Sequence, residues 1–215
     1  MTHPVSLLLA GVAQGRYPEA DGFVEVYPQP PGPTAGVLAF TAHHVVAADV
    51  SADWARANLD HDDVGSAMKP PFLGALTDVL RRPAGVLDVV LVAPGQSGRP
   101  AMDLVPLDGE HTRLTRAHRY RTDIRAYAVA AVPQTMILVG RGFAGRWETA
   151  FEVPPAERGT GLGRALAEAA RYLVPAAEPL WAQVSPGNAA SLRAVLAAGY
   201  VPVGSEVLFA PASPG

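Results

Sequence analysis

The sequence predicts an α/β (α+β) fold with a mixed, mostly antiparallel central sheet flanked by helices. Three successive segments rich in β-branched and apolar residues, 121–130, 135–143 and 146–153, are joined by short turns and indicate an antiparallel meander. A glycine-rich loop at 158–164 then leads into a run of helix formers. Strand and helix patterns also occur in residues 23–93, which predicts an additional N-terminal α/β lobe.

The composition is that of a globular protein with one large domain or two small lobes. Its 215 residues are 49% hydrophobic and 17% charged, enough to bury a substantial core. A turn-rich break at Pro94–Arg99 precedes a stretch, Ala101–Ala117, that we expect to be irregular. We therefore expect an N-terminal lobe over 1–105 and a core domain over 106–215.

Several classes of function are disfavoured by the composition. The chain contains no cysteine, which excludes disulfides, thiolate metal sites and a cysteine nucleophile. Its net charge of -3 argues against nucleic acid as the main partner. The apolar run Val5–Ala10 is short and lacks a basic flank, and no stretch approaches the length of a membrane span, so we expect a cytoplasmic protein without a membrane partner. His43 and His44 should point to opposite faces of a strand and His61 lies in a polar loop, so no metal site is expected.

The predicted lobe contains strands and helices that follow from local patterns. Ser51 is a suitable N-cap for the first of two short helices, and Pro70-Pro71 can begin the second. The apolar segment that follows the second helix is continuous, as in a strand buried on both faces. The expected elements are strand Phe23–Tyr27, a strand or strand pair in Gly36–Val50, helix Ala52–Leu59, helix Phe72–Arg82 and strand Val86–Ala93.

The glycine-rich loop indicates a binding site for a phosphorylated ligand. Its glycines and the start of the following helix would direct free backbone N–H groups at an anion. A P-loop would require a lysine, and the only lysine, Lys69, is far away in the sequence. A dinucleotide fingerprint would require a third glycine where Arg164 or Leu166 stands, so both of these motifs are absent.

Two segments resemble motifs of the GCN5-related N-acetyltransferase (GNAT) superfamily. Arg158, Gly161 and Gly163 match Arg/Gln-x-x-Gly-x-Gly/Ala, which is similar to motif A. A strand at Leu180–Val184 leads into a helix that begins at an asparagine and ends in Gly-Tyr, Asn188–Tyr200, and resembles motif B. The resemblance covers residues 147–209, less than a third of the chain.

The resemblance implies a GNAT fold and acetyl-CoA as co-substrate, without a metal. The loop would hold the pyrophosphate, and the end of the preceding strand would diverge from the next strand to admit the pantetheine arm. The N-terminal lobe, with its strand-helix-helix-strand order at 36–93, is either a degenerate copy of a GNAT half or an unrelated lobe. The implied cofactor-binding residues are Phe151, Glu152, Val153, Arg158, Gly159, Thr160, Gly161, Leu162, Gly163, Arg164, Asn188 and Ser191.

Acyl transfer to an amine favours a catalytic base near the end of the strand that precedes the glycine-rich loop. At pH 7 only about one lysine-like amine in 2500 is neutral, so removing the proton from the ammonium costs a free energy of roughly 4.6 kcal/mol. Glu148 and Glu152 share one strand face but lie about 13 Å apart, so at most one is the direct base. We favour Glu148, which would face an acceptor cleft; the alternative for either residue is a carboxylate paired with an arginine.

Several other roles stay open at this point. Many family members carry a tyrosine, the general acid, where this chain has Val195, and Tyr200 is the nearby phenol that could replace it or could be a buried aromatic. Asn188 and Ser191 would contact the CoA arm or cap the helix. Arg158 and Arg164 would bind phosphate or lie solvated at the surface.

The sequence thus predicts an N-acetyltransferase that moves acetyl from acetyl-CoA to a primary amine of a small molecule or peptide, by direct attack in a ternary complex. The alternative is a non-catalytic acyl-CoA-binding or sensory module on the same fold. The expected partners are acetyl-CoA and an amine acceptor, in a monomer or a homodimer.

Overall fold

The computed structural model describes residues 2–107 and 111–211 of the chain. Two compact units are formed, the first from residues 2–89, 143–145 and 203–211 and the second from the rest. The helices are α1 Pro4–Val12, α2 Ala52–Asn58, α3 Pro70–Leu80, α4 Thr112–Ala117, α5 Leu162–Ala170 and α6 Ala189–Ala197. The strands are β1 Val24–Tyr27, β2 Ala35–Phe40, β3 His43–Ala47, β4 Asp88–Pro94, β5 Leu104–Pro106, β6 Thr122–Val129, β7 Val132–Arg141, β8 Trp147–Glu152, β9 Pro179–Val184 and β10 Val201–Phe209.

The first unit contains a sheet in the order β1-β3-β2-β10. β1 runs parallel to β3, while β2 is antiparallel to both β3 and β10. The side chains of α2 and α3 pack on one face of this sheet, where Ala55, Phe72 and Leu76 are fully buried. Ser51 caps α2 as expected, since its Oγ accepts a hydrogen bond from the Trp54 N–H at 3.1 Å.

The second unit contains strands in the order β4-β9-β8-β7-β6-β5. The antiparallel meander β6-β7-β8 is confirmed, and β8 pairs in parallel with β9. A small core joins α4 to one face of the meander through Ala117, Met136 and Leu138, with Ala150 of β8 packed against it. On the helix that follows the glycine-rich loop, Leu166 and Ala167 are fully buried.

The expectation that Ala101–Ala117 is irregular is wrong. Leu104–Pro106 forms β5 and pairs antiparallel with β6, and α4 begins after His111, whose Nδ1 accepts from the Arg113 N–H. Both elements are too short for a hydrophobic period to develop, and β5 ends in proline. The helix Pro4–Val12 is also absent from the sequence-based expectations, although Pro4 occupies its first turn, where proline is favoured.

No helix in the described part of the chain has both the length and the apolar character needed to span a membrane. Within residues 2–107 and 111–211, no three histidine, aspartate or glutamate side chains gather in a group able to hold a metal ion. The division of the chain at residue 105 into a lobe and a core domain stays a prediction.

Candidate functional site

The parallel ladder between β8 and β9 ends before either strand does. Paired residues run from Trp147 and Leu180 to Thr149 and Ala182. β8 then continues to Glu152, still paired with β7 along its other edge. The edge of β8 that faces β9 therefore has backbone groups outside this ladder over its last three residues, and these groups are available to an extended ligand.

The glycine-rich loop connects the end of β8 to α5 through two glycines with positive φ. Gly159 has φ 80° and Gly161, the N-cap of α5, has φ 92°, so other residues would be strained at both positions. A Cβ at either glycine would meet no heavy atom within 4 Å, which leaves the loop open to a ligand. The Thr160 hydroxyl donates to the Glu157 carbonyl at 2.8 Å and closes the turn before the helix.

Gly163 brings the start of α5 close to the end of β8 and to α6. A Cβ at Gly163 would lie 3.7 Å from Cγ2 of Val153, 3.8 Å from Cε2 of Phe151 and 3.6 Å from Cβ of Ala194. The structure thus brings together the end of β8, whose edge towards β9 lies outside the ladder, the glycine-rich loop and the motif B helix. A helix N-terminus beside a strand edge with unused backbone donors can bind a ligand that carries both phosphate and amide groups.

The polar residues around the loop differ in how far they are already engaged. Asn188 caps α6, with its Oδ1 accepting from the Ser191 N–H at 3.2 Å. Arg158 is exposed, and Arg164 forms an exposed i,i+4 pair with Glu168 at 2.7 Å. Helix capping by Asn188 is therefore observed, while contacts of these side chains with CoA stay predictions.

Glu148 is enclosed in the protein and paired with two arginines. Its side chain is 1% exposed, its Oε1 accepts from Nε of Arg146 at 2.9 Å, and Nε of Arg121 lies 2.9 Å from its Oε2. A Cβ at Gly142 would overlap the carboxyl group, so the glycine makes room for it. From the sequence we favoured a Glu148 that faces an acceptor cleft. In the structure Glu148 instead has the alternative arrangement, a carboxylate paired with arginines.

Arg121 also links β8 to β9. Besides its contact with Glu148, its Nη2 donates to Oε1 of Gln183 at 3.0 Å. Glu148 is one residue before the last paired position of β8, and Gln183 is one residue after the last paired position of β9. A side-chain bridge therefore spans the two strands at the point where their backbone ladder ends.

Glu152 lies at the end of β8 in a more accessible position. Its side chain is 38% exposed, and its Oε2 accepts from Nε of Arg113 on α4. Ala150 packs on the α4 side of the sheet as well, whereas Phe151 and Val153 approach Gly163 of α5. The predicted alternation is confirmed over residues 150–153, because Ala150 and Glu152 lie on the α4 side and Phe151 and Val153 on the α5 side.

Tyr200 is buried behind the motif B helix. Its hydroxyl donates to the carbonyl of Ala167 on α5 at 3.1 Å. Burial raises the pKa of the Tyr200 phenol well above its usual value, and the nearby charge of Arg171 opposes this shift only partly. Val195, which stands where many family members have a tyrosine, is also buried.

Sequence patterns gave no sign of Arg121, Arg146 or Gly142 as partners of Glu148. Arg121 lies 27 positions before the glutamate, so no helical or strand period connects the two residues. A buried carboxylate does require a charged partner, but the chain contains many arginines from which to choose. Only the fold identifies the pair.

Three solved structures similar to this chain are of GNAT-family proteins. An acetyltransferase from Colwellia psychrerythraea is 11% identical, with a TM-score of 0.38, and the alignment covers 66% of this chain and 62% of that chain. A GCN5-related N-acetyltransferase from Kribbella flavida is 18% identical, with a TM-score of 0.39 and coverage of 66% of this chain and 64% of that chain. A protein from Novosphingobium aromaticivorans is 20% identical, with a TM-score of 0.38 and coverage of 60% of this chain and 68% of that chain. The alignments span less than two thirds of the first two chains. No protein-family model and no curated protein sequence matches the chain.

Proposed function

We propose that the chain is an acyl-CoA-dependent N-acyltransferase that transfers acetyl from acetyl-CoA to a primary amine of a small molecule or peptide. The observation that carries this proposal is the end of the β8–β9 ladder at Thr149 and Ala182, beside the glycine-rich start of α5. The amides of a pantetheine arm can hydrogen-bond to the open edge of β8 as an added strand would. The pyrophosphate can then accept from backbone N–H groups of Gly161 to Gly163 at the N-terminus of α5.

The reaction forms an N–C bond and breaks the C–S bond of the thioester. The amine nitrogen attacks the carbonyl carbon, the oxygen carries negative charge in the transition state, and CoA leaves as a thiolate. Backbone N–H groups of Phe151 to Val153 are the donors proposed for that oxygen. An ammonium acceptor loses two protons in all, one to the base before attack and one from nitrogen as the amide forms. The thiolate gains one proton and the other passes to solvent, so no oxidant or further reactant is needed. With a thiol pKa near 8.5, water can protonate the leaving group.

We propose Glu152 as the residue that receives the acceptor ammonium and its proton. It lies at the open end of β8 and its carboxylate reaches solvent, whereas Glu148 is enclosed between two guanidinium groups. An incoming ammonium can take the place of Arg113 beside Glu152 because both are cations of the same charge. Glu148 is then a positioning residue: through Arg121 it holds β8 and β9 at the point where the two strands diverge.

The phenol of Tyr200 is less suited to protonate the leaving thiolate. Its hydrogen is engaged by the Ala167 carbonyl and its side chain is buried. These contacts support a packing role between α5 and the motif B region. The missing tyrosine at Val195 therefore leaves proton delivery to water in this proposal.

The test is release of CoA from acetyl-CoA in the presence of a panel of primary amines, followed with a thiol reagent. The chain has no cysteine, so the protein itself does not react. Amine-dependent release together with an N-acetylated product in mass spectrometry supports the proposal. Binding of acetyl-CoA without release by any amine would favour the non-catalytic module, and absence of acetyl-CoA binding would contradict both.

A further inference from the structure

The ion pair between Glu152 and Arg113 is open to solvent at the end of β8. The side chain of Arg113 is 52% exposed and that of Glu152 is 38% exposed. Both residues belong to the second unit, Glu152 as the last residue of β8 and Arg113 in the first turn of α4. In the proposed reaction the backbone N–H groups of Phe151 to Val153 face the thioester oxygen, so this pair adjoins the reacting carbonyl.

The contact between the two side chains uses only one atom of each. Nε of Arg113 donates to Oε2 of Glu152. Within residues 2–107 and 111–211, neither side chain has another hydrogen-bond or ion-pair partner. None of these residues therefore engages Oε1 of Glu152 or the two terminal nitrogens of Arg113. Those two nitrogens are the edge of a guanidinium that can hold a carboxylate through two parallel hydrogen bonds.

The helix that supplies Arg113 is itself positively charged. α4 contains two arginines, Arg113 and Arg116, and no carboxylate. Arg116 is exposed, and residues three apart on a helix are neighbours on its surface. A further cation that binds at Glu152 without an anion of its own therefore meets repulsion from α4.

A simple monoamine that enters this site leaves one charge without a partner. Its ammonium takes the place of Arg113 at Glu152, and the guanidinium loses its anion. An acceptor with an amine and a carboxylate on the same carbon brings two adjacent opposite charges, as the protein pair does, so both Glu152 and Arg113 stay paired. The N-terminal amine of a peptide lacks this carboxylate, because the carboxyl group is in the next amide bond.

We propose that the acceptor is a free α-amino acid, with its ammonium bound by Glu152 and its carboxylate by the terminal nitrogens of Arg113. The inference rests on the proposed acyl transfer and narrows its acceptor. The α-nitrogen forms the new N–C bond while the C–S bond of acetyl-CoA breaks. The ammonium loses two protons, one of them through Glu152; the CoA thiolate gains one proton and solvent takes the other. The product is an N-acetyl amino acid, which keeps its carboxylate.

The experiment compares free amino acids with their amides, such as L-alanine with L-alaninamide, through the standard amino acids other than cysteine. Release of CoA gives kcat/KM for each. The amide keeps the amine but replaces the carboxylate with an uncharged group of nearly the same size, as at a peptide N-terminus. Since the two amines differ in intrinsic reactivity, the decisive quantity is the change in the ratio of their kcat/KM on Arg113→Gln. We expect this ratio, amino acid over amide, to fall at least about tenfold, through the KM of the amino acid.

Arg116→Gln is the matched control, because it removes an equal charge from α4 at a residue that does not pair with Glu152. It should change the ratio less than about twofold. Structural damage would lower kcat/KM for the amino acid and the amide together, whereas loss of the carboxylate contact lowers only that of the amino acid.

Two results would overturn the amino acid as acceptor while acyl transfer stands: an unchanged ratio in Arg113→Gln, or turnover of amides by a wild type that acetylates no amino acid. Equal falls of the ratio in Arg113→Gln and Arg116→Gln would likewise overturn the assignment of the carboxylate to Arg113. No turnover of any amine would overturn the acyl transfer and this inference with it.

Discussion

The guanidinium of Arg121 and the carboxylate of Glu148 form a buried ion pair, with Nε 2.9 Å from Oε2. The same guanidinium reaches Gln183 on β9, so the pair fixes the strands where their ladder ends. Arg146 completes the arrangement on the other carboxylate oxygen. Glu148 thereby stabilises the point at which β8 and β9 diverge. The proposed cofactor site depends on that divergence.

Replacing Glu148 with Gln should lower the free energy of unfolding by about 3–5 kcal/mol, because two largely buried guanidinium groups lose their carboxylate. Urea unfolding measures this change. Glu178→Gln is the matched control, since it removes a glutamate from a partly exposed pair with Arg141 and should cost less than about 1 kcal/mol. A stable Glu148→Gln variant with an altered pH-rate profile would instead indicate that Glu148 is the base.

Gly142→Ala should destabilise the protein, because the added methyl overlaps the Glu148 carboxyl group and forces the buried pair to shift. Overpacking of this kind typically costs about 1–3 kcal/mol. Gly74→Ala is the control: it lies in α3 with no heavy atom within 4 Å of the new Cβ, and should stabilise by about 0.5–1 kcal/mol. Unfolding curves that shift in the same direction for both variants would contradict the packing of Glu148 against Gly142.

Glu152→Gln should reduce kcat/KM for the amine while the affinity for acetyl-CoA changes less than about twofold, since the backbone of β8 is kept. Arg113→Gln removes the partner of Glu152 and should keep turnover while lowering the KM of an amine that lacks a carboxylate, because the ammonium no longer competes with a guanidinium. Steady-state kinetics with an amine found active in the panel, together with acetyl-CoA titrations, measures both effects. Unchanged kcat/KM in the Glu152 variant would exclude it as the base.

Tyr200→Phe should lower the free energy of unfolding by about 0.5–1.5 kcal/mol, the usual value for one buried hydrogen bond, here to Ala167. Because burial raises the pKa of this phenol, it stays protonated through the neutral range and gives no inflection in the pH-rate profile there. Turnover by the Phe variant should match the wild type. A large fall in kcat without loss of stability would assign the general acid to Tyr200.

Local patterns predicted much of the fold because the interactions they depend on are local. The Ser51 cap of α2, the β6-β7-β8 meander and the glycine-rich turn into α5 all follow from residues a few positions apart. The environment of Glu148 could not be predicted in this way. Its partner Arg121 comes from before β6, and the gap left by Gly142 depends on how β7 turns into β8.

The divergence of β8 from β9 is likewise not encoded in either strand alone. Phe151 and Val184 both suit a strand, and only the pairing register shows that the ladder stops at Thr149 and Ala182. The resemblance to GNAT motifs predicted this feature, whereas hydrophobic periodicity does not distinguish paired from unpaired strand ends. Short elements such as β5 were missed because three residues cannot display a period.

The most direct test of the proposed cofactor site is calorimetric titration of acetyl-CoA into the wild type, Thr160→Gln and Thr160→Glu. Both variants lose the Thr160 hydroxyl, and they are nearly equal in size, but only one adds a negative charge to the loop. We expect the Gln variant to bind within about threefold of the wild type, and the Glu variant at least about tenfold more weakly than the Gln variant because its carboxylate repels the pyrophosphate. No binding by the wild type, or equal binding by the two variants, would contradict a phosphate site at this loop.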